Sequence, residues 1–218
     1  RPTKFVLTSN GLRASRDPGE VSRGSRATAD LIARAYERLI RSYARGVLVD
    51  LGCGAVPLFQ VYKAIGILHV IGVDWPRTAH GSQHVDAFAD LSRILPLRDS
   101  FADTVVLTDV LEHVFEPETL VAEAARLLRP GGRLLVGVPF LYPLHEQPHD
   151  YHRYTEYRLR QLCEYARLQV LELVPYGGAL DVLVDITGKL LNRVPFAFPA
   201  FMLLSSLILS TAGHRSRG

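Results

Sequence analysis

Apolar residues recur along this chain with two different periods. From Ser25 to Tyr43 they return at helical spacing, with Leu31, Ala35 and Leu39 on one line and Ile32, Tyr36 and Ile40 beside it, which predicts an amphipathic helix. Val47-Leu48-Val49-Asp50-Leu51 is instead a continuous run, the pattern of a strand buried on both faces. A helix is expected over about 57–65, with Pro57 near its first turn, and a second strand over His69–Asp74. His84 to Leu91 reads as a third strand or edge segment, and Asp103 to Asp109 as a fourth strand. Glu116 to Leu128 predicts a helix with Leu120, Ala124, Leu127 and Leu128 inward. It should stop at a tight turn, Arg129-Pro130-Gly131-Gly132, before a fifth strand over Leu134–Val138. Glu156–Ala166 reads as helix, Leu168–Val174 as a sixth strand and Leu180–Leu191 as helix. Strands alternating with helices predict an α/β fold with a doubly wound, mainly parallel sheet and a helical C-terminal extension.

The uncharged run Val194 to Gly213 is apolar and interrupted by Pro195 and Pro199. It is expected to lie against the body or a second subunit, giving a homodimer, with a membrane-surface segment as the alternative. The organisation read from this is one domain over 1–193, with residues 1–24 as an arm or lid, and an apolar segment over 194–218. Charge changes the picture little. A net charge of +3 with 22% charged residues is too balanced to argue for nucleic acid, and no basic–aromatic motif is present. Much of the positive charge precedes residue 46, in a stretch rich in Arg, Ser and Gly that reads as a solvated arm or as a lid over a ligand. Two cysteines, Cys53 and Cys163, form neither a disulfide framework nor a zinc pattern and fit a cytoplasmic compartment, with membrane association through 194–213 as the variant. No signal peptide is read at the N-terminus, and a start at Arg1 rather than Met leads us to expect a few missing residues.

The candidate chemistry begins where the first strand meets Gly52-Cys53-Gly54. Asp50 sits at that strand's carboxyl end, where open α/β sheets bind ligands. Pro57 occupies the place of the third glycine in a dinucleotide fingerprint, and Asp50 would repel a pyrophosphate, so a cationic nucleoside fits better. Asp74 ends the second strand about twenty residues past the glycine loop, the distance at which an acid takes a ribose diol. Trp75 follows, placed to lie on an adenine or to pack as a rim aromatic. The ordered set D-L-G-C-G, G-V-D-W, D-L-x-x-L-P, V-L-T-D-V-L-E-H and L-L-R-P-G-G-R-L resembles the class I S-adenosylmethionine (SAM) methyltransferases over roughly residues 25–175. The resemblance implies SAM as cofactor, held by Asp50, Gly52, Gly54, Asp74, Trp75, Asp90, Leu91 and Thr108.

Two stretches go beyond cofactor binding, Asp109-Val110-Leu111-Glu112-His113 and His145-Glu146-Gln147-Pro148-His149-Asp150-Tyr151-His152-Arg153-Tyr154-Thr155. Carboxylates and imidazoles converging at the sheet's carboxyl edge can act as general base on a hydroxyl or hold a divalent ion that lowers its pKa. D-x-x-E-H followed by H-D-Y resembles the metal site of small-RNA 3′-end 2′-O-methyltransferases and of the O-methyltransferases of ubiquinone synthesis. That resemblance implies Asp109, Glu112, His113 and His149 as ligands of Mg²⁺ or Mn²⁺, with Asp109 one methylene shorter than the Glu of the pattern. The metal-free alternative leaves Glu112 and His113 bracing the loop. His145 is the favoured base, with His149 and His152 as further catalytic candidates. The histidine loop also resembles that of sugar O-methyltransferases acting on mycobacterial polymethylated polysaccharides, which implies a sugar or oligosaccharide acceptor, with Tyr142, Tyr151 and Tyr154 as stacking candidates. A quinone, phenol or lipid intermediate at a membrane surface is the second expectation, and an RNA-modifying or RNA-binding module the reading of another class.

Overall fold

The computed structural model describes residues 3–76 and 83–191. The expected apolar segment 194–213, and the dimer or membrane contact assigned to it, lie outside the described residues. In chain order the elements are β1 (Phe5–Thr8), β2 (Gly11–Ala14), α1 (Arg26–Tyr43), β3 (Val47–Leu51), α2 (Phe59–Ala64), β4 (His69–Asp74), β5 (Ala87–Phe88), β6 (Ala102–Thr108), α3 (Pro117–Leu127), β7 (Leu128–Gly137), α4 (Glu156–Tyr165) and α5 (Ala179–Leu191). The chain divides into two compact units, residues 1–35 with 174–218, and residues 36–173.

The larger unit is a parallel sheet in the order β5-β4-β3-β6-β7. β3 runs up its middle, with Val47 to Leu51 facing His69 to Val73 of β4 on one side and Leu48 to Asp50 facing Thr104 to Val106 of β6 on the other. Buried on both faces, β3 carries Leu48, Val49 and Leu51 wholly out of solvent, which is why its sequence is a continuous apolar run rather than an alternation. The strand order reverses at β3, so the carboxyl ends of β3, β4 and β6 open a crevice between diverging crossovers. Val105, Leu107, Leu120, Ala124, Leu127 and Leu162 form the core between β6, α3 and α4. Each of these Val and Leu side chains contributes about 1.5–3 kcal/mol by leaving water.

Three expectations change. Pro130-Gly131-Gly132 is not a turn between a helix and a strand: β7 starts at Leu128 and swallows it as a bulge, with Ala102 opposite Leu128 but Thr104 already opposite Arg133. Gly131 takes φ +76°, a conformation open to glycine, and Arg129 anchors the bulge on Asp103 at 2.9 Å. Residues 168–174 form no strand. Among the described residues the sheet ends at β7, and Glu172 is drawn instead to Arg38 at 2.8 Å and to the Tyr43 hydroxyl at 2.9 Å. The segment 84–91 is reduced to the two-residue edge strand β5.

The smaller unit holds a hairpin where the sequence was read as an arm. β1 and β2 pair antiparallel, Phe5 opposite Ala14 and Thr8 opposite Gly11. Asn10-Gly11 between two apolar runs was the available signal. Thr8 closes the turn, its Oγ1 donating to the Gly11 carbonyl and accepting from the Asn10 N–H. Asp30 of α1 accepts from the Ala14 N–H at 2.8 Å and from Arg16 at 3.0 Å. α5 is helical as expected, and no helix among the described residues is long and apolar enough to cross a membrane.

Gly52 turns the chain out of β3 at φ +77°, and a Cβ there would come within 2.3 Å of Val110 Cγ2. Gly52→Ala combines a left-handed backbone with overpacking against the loop after β6, and is expected to cost about 1–3 kcal/mol. Thermal unfolding followed by circular dichroism checks it; an unchanged midpoint contradicts the reading.

Candidate active site

The cofactor side is built by backbone groups. Gly52 and Cys53 N–H both donate to the Val73 carbonyl, at 2.7 and 3.2 Å, tying the glycine loop to the end of β4. Gly54 N–H donates to Asp74 Oδ2 at 2.8 Å and Trp75 N–H to Oδ1 at 2.7 Å. Asp74 therefore holds the loop open with one lone pair of each oxygen and has further lone pairs with which to accept. Asp50 is buried beside it and accepts from the Tyr62 hydroxyl at 2.9 Å. Burial pushes its carboxyl up to about 7; the Tyr62 hydrogen bond opposes this and the Asp74 charge adds to it. Burial likewise pushes the Cys53 thiol up to about 12, so it is an inert packing group. Asp90 is exposed and caps its own turn, accepting from Ser92 N–H and Oγ, bonds that with Arg93 hold it below the usual carboxylate range. Leu91 is buried in the core and Thr108 half-buried at the end of β6.

The chemistry side follows β6. Asp109 takes φ +55°, tolerable for an Asp, and accepts from the buried Tyr36 hydroxyl at 2.9 Å. The chain then makes a 3-10 turn over Leu111–His113, in which Glu112 is wholly buried. The Glu112 carbonyl takes the N–H groups of Tyr151 and His152, at 2.8 and 3.3 Å, which brings the histidine loop over the turn. His113 Nδ1 lies 2.8 Å from the His149 carbonyl. A carbonyl only accepts, so Nδ1 carries the proton and Nε2 presents a lone pair. That Nε2 is buried, makes no hydrogen bond among the described residues, and lies 3.9 Å from Glu112 Oε1 and 3.9 Å from Glu146 Oε2. His145 Nε2 is also 3.9 Å from Glu112 Oε1, while its Nδ1 is 3.3 Å from Asp150 Oδ2. One donor atom each from Glu112, His113 and His145 falls within 4.8 Å of the others. Donors sharing one octahedral ion stand roughly 3–4 Å apart, so this trio fits a single divalent cation with little movement.

The donor set differs from the expected one. Asp109 is turned to Tyr36, and the His149 ring lies edge-on to Trp75 at 5.5 Å with its Nδ1 2.9 Å from the Tyr151 hydroxyl. His145 takes the place assigned to His149, because Asp150 accepts from the His145 N–H at 2.9 Å and folds the loop back on itself. His145 thereby faces Glu112, whereas His149 gives the cluster only its carbonyl. His152 Nε2 donates to the Phe115 carbonyl at 3.1 Å and braces the loop rather than joining the donors. Tyr154 is buried and donates to the Leu111 carbonyl at 2.8 Å, which removes it as a stacking surface; Tyr142 and Tyr151 remain exposed. Sequence reasoning missed Tyr36, Tyr62, Glu146, Asp150 and Arg153 as site residues. Only Asp150 and Arg153 carried a local signal, an acid and a base three apart inside the histidine loop.

Residues 49–136 match the methyltransferase domain family. The parallel sheet with its glycine loop after β3 has the Rossmann-like arrangement of class I methyltransferases, and over this span, less than half of the chain, the sequence is similar to methyltransferase domains. Among curated relatives, a protein of Mycolicibacterium smegmatis described as an S-adenosylmethionine-dependent methyltransferase is 34% identical over 113 residues, 48% of this chain and 42% of that one. The ubiquinone biosynthesis O-methyltransferase of Aromatoleum aromaticum is 27% identical over 156 residues, 58% of this chain and 65% of the relative. The chain spans 29% to 65% of the length of the first such relatives. A SAM-dependent methyltransferase of Archaeoglobus fulgidus shares the fold with a TM-score of 0.52 at 17% identity, over 75% of this chain and 87% of that one.

Proposed function

We propose that this chain is a SAM-dependent O-methyltransferase acting on a hydroxyl of a sugar or oligosaccharide, assisted by a divalent metal ion. The observation that carries the reading is the convergence of Glu112, His113 and His145, with Nδ1 of each imidazole directed at a backbone or carboxylate oxygen and each Nε2 facing the Glu112 carboxylate. An alcohol is a weak nucleophile and needs its proton weakened, whereas an amine needs mainly desolvation; a trio of this kind favours oxygen as the acceptor atom. A bound ion would supply Lewis-acid acidification of the acceptor hydroxyl. Two imidazoles with one carboxylate form a softer set than the all-oxygen shell Mg²⁺ prefers, so we favour Mn²⁺ over Mg²⁺.

SAM supplies an electrophilic methyl group on a sulfonium. In our reading Asp74 accepts from the ribose diol, Asp50 faces the cationic end, and Trp75 borders the adenine. The acceptor oxygen forms its bond to the methyl carbon as the carbon–sulfur bond breaks, S-adenosylhomocysteine leaves, and the hydroxyl proton passes to His149. His145 cannot be both ligand and base, so the base role moves to His149, the one loop imidazole whose ring has neither a carbonyl nor the donor trio as partner. Exposed Tyr142 and Tyr151 offer faces for a sugar ring. A phenol or quinone acceptor is the second reading, supported by the ubiquinone-biosynthesis relative and by the exposed ring of Phe115, edge-on to Tyr151 at 5.5 Å.

The test is methyl transfer from labelled SAM to sugar, catechol-type and RNA acceptors, with and without EDTA. We expect transfer to a sugar, lost in EDTA and restored by Mn²⁺. Transfer to phenols alone selects the second reading. RNA methylation with steeply salt-dependent binding would replace both.

A further inference from the structure

Between Tyr142 and Arg153 the chain closes on a part-buried ion pair that none of the roles above uses. The Asp150 side chain is 2% exposed and meets Arg153 in a fork, Oδ1 at 2.6 Å and Oδ2 at 2.8 Å from the two guanidinium nitrogens. Arg153 spends its other protons on backbone carbonyls, those of Tyr142 at 3.1 Å, Pro143 at 3.2 Å and His152 at 2.7 Å. A guanidinium that satisfies three carbonyls and a carboxylate fixes both ends of the loop to one point. Forked on the Arg153 guanidinium and taking the His145 N–H, the Asp150 carboxylate acts here only as an acceptor.

The same carboxylate turns to His145. Oδ2 takes the His145 backbone N–H at 2.9 Å and lies 3.3 Å from its Nδ1, with the Pro143 carbonyl also 3.3 Å from that nitrogen. Two acceptors on Nδ1 demand a proton there, which leaves the Nε2 lone pair toward Glu112 Oε1 at 3.9 Å. The ring is further held edge-on between Tyr142 at 5.1 Å and His113 at 4.7 Å.

We propose that Asp150, clamped by Arg153, is a positioning residue that fixes His145 in its Nδ1–H tautomer and aims Nε2 into the donor trio. The inference rests on the metal-assisted reading for its consequence but not for its geometry. Partners of this kind typically set metal affinity by 10–100-fold. In Asp150→Asn an amide oxygen at the Oδ2 position keeps the His145 N–H but has no charge to draw the Nδ1 proton, and the NH₂ at the Oδ1 position meets the Arg153 guanidinium donor to donor, so the fork opens. The Pro143 carbonyl then holds the Nδ1 proton alone, and the Nε2–H tautomer gains population.

Two measurements on the full chain decide it. Nitrogen-15 NMR of labelled histidines at pH 8 should show His145 as the Nδ1–H tautomer alone in the wild type and as a mixture with Nε2–H in Asp150→Asn. Mn²⁺ titration followed by electron paramagnetic resonance should show affinity about 10–100-fold lower in Asp150→Asn, with S-adenosylhomocysteine affinity unchanged. Arg153→Lys keeps the charge but not the fork, and should fall between. If Asp150→Asn does not fold, Asp150→Ala/Arg153→Leu leaves no unpaired charge behind and takes its place in both assays. An Nδ1–H tautomer alone and wild-type Mn²⁺ affinity in these variants overturn the proposal. Absence of Mn²⁺ binding in the wild type rejects the metal reading alone, and the tautomer measurement then decides for or against Asp150 by itself.

Discussion

Glu112→Gln should nearly abolish methyl transfer while leaving S-adenosylhomocysteine binding within error of the wild type. Glu112 is the group common to both histidines, 3.9 Å from each Nε2, and it is wholly buried, so no solvent replaces it. Glutamine keeps its shape and removes its charge. If the ion contributes about 4 kcal/mol of transition-state stabilisation, the loss in turnover is roughly 10³-fold. In our reading the cofactor is held at Gly54, Asp74 and the Val73 carbonyl, at the ends of β3 and β4, whereas Glu112 lies in the turn after β6, so affinity there should not follow turnover. Steady-state kinetics paired with calorimetry separates the two. Full turnover in the variant, and in EDTA, would return Glu112 to a purely structural task, carrying the N–H groups of Tyr151 and His152 on its carbonyl.

Asp50→Asn is expected to stabilise the protein above pH 7 and to weaken SAM binding. Burial raises the Asp50 carboxyl from 3.8 to about 7. A raised folded pKa means the native state holds the proton more tightly than the unfolded chain. The stability contributed by this group is therefore fully present below about pH 4 and is lost as pH rises through about 7. Above that the ionised carboxylate costs on the order of 4 kcal/mol. Asparagine never ionises and still accepts from Tyr62. Urea unfolding at pH 8 should therefore show the variant more stable than the wild type, with the difference vanishing toward pH 4. A cationic ligand beside Asp50 favours the charged form, so SAM affinity of the wild type should rise between pH 6 and 8 and that of the variant should stay flat. A variant less stable than the wild type at pH 8 would mean that Asp50 is ionised at little cost in the native protein.

Much of this architecture is written locally. β3, β4, β6 and α3 are legible because burial on both faces, or on one helical face, imposes a period on the sequence. Residues 168–174 show the limit: an apolar alternation becomes a strand only if a partner edge receives it, and here Glu172 is held by Arg38 and Tyr43 instead. The site divides the same way. Glu112 and His113 are adjacent and follow a strand, so their placement could be read. Whether His145 or His149 joins them depends on Asp150 folding the loop back, a contact of tertiary structure that spacing does not encode. Tyr62 on Asp50 and Tyr36 on Asp109 come from separate helices and left no trace in the motifs.

The edge contact between Trp75 and His149 gives this chain an optical property. Trp75 is the chain's single tryptophan, half in solvent at the end of β4, and its neighbour His149 hands its carbonyl to His113. Indole emission responds to nearby imidazole and to the polarity around the ring. The native chain thus carries a label-free fluorophore between its two half-sites. One emission spectrum registers arrival of the nucleoside on one side and displacement of the histidine loop on the other, so the order in which cofactor, ion and acceptor assemble can be followed by stopped flow without modifying the protein.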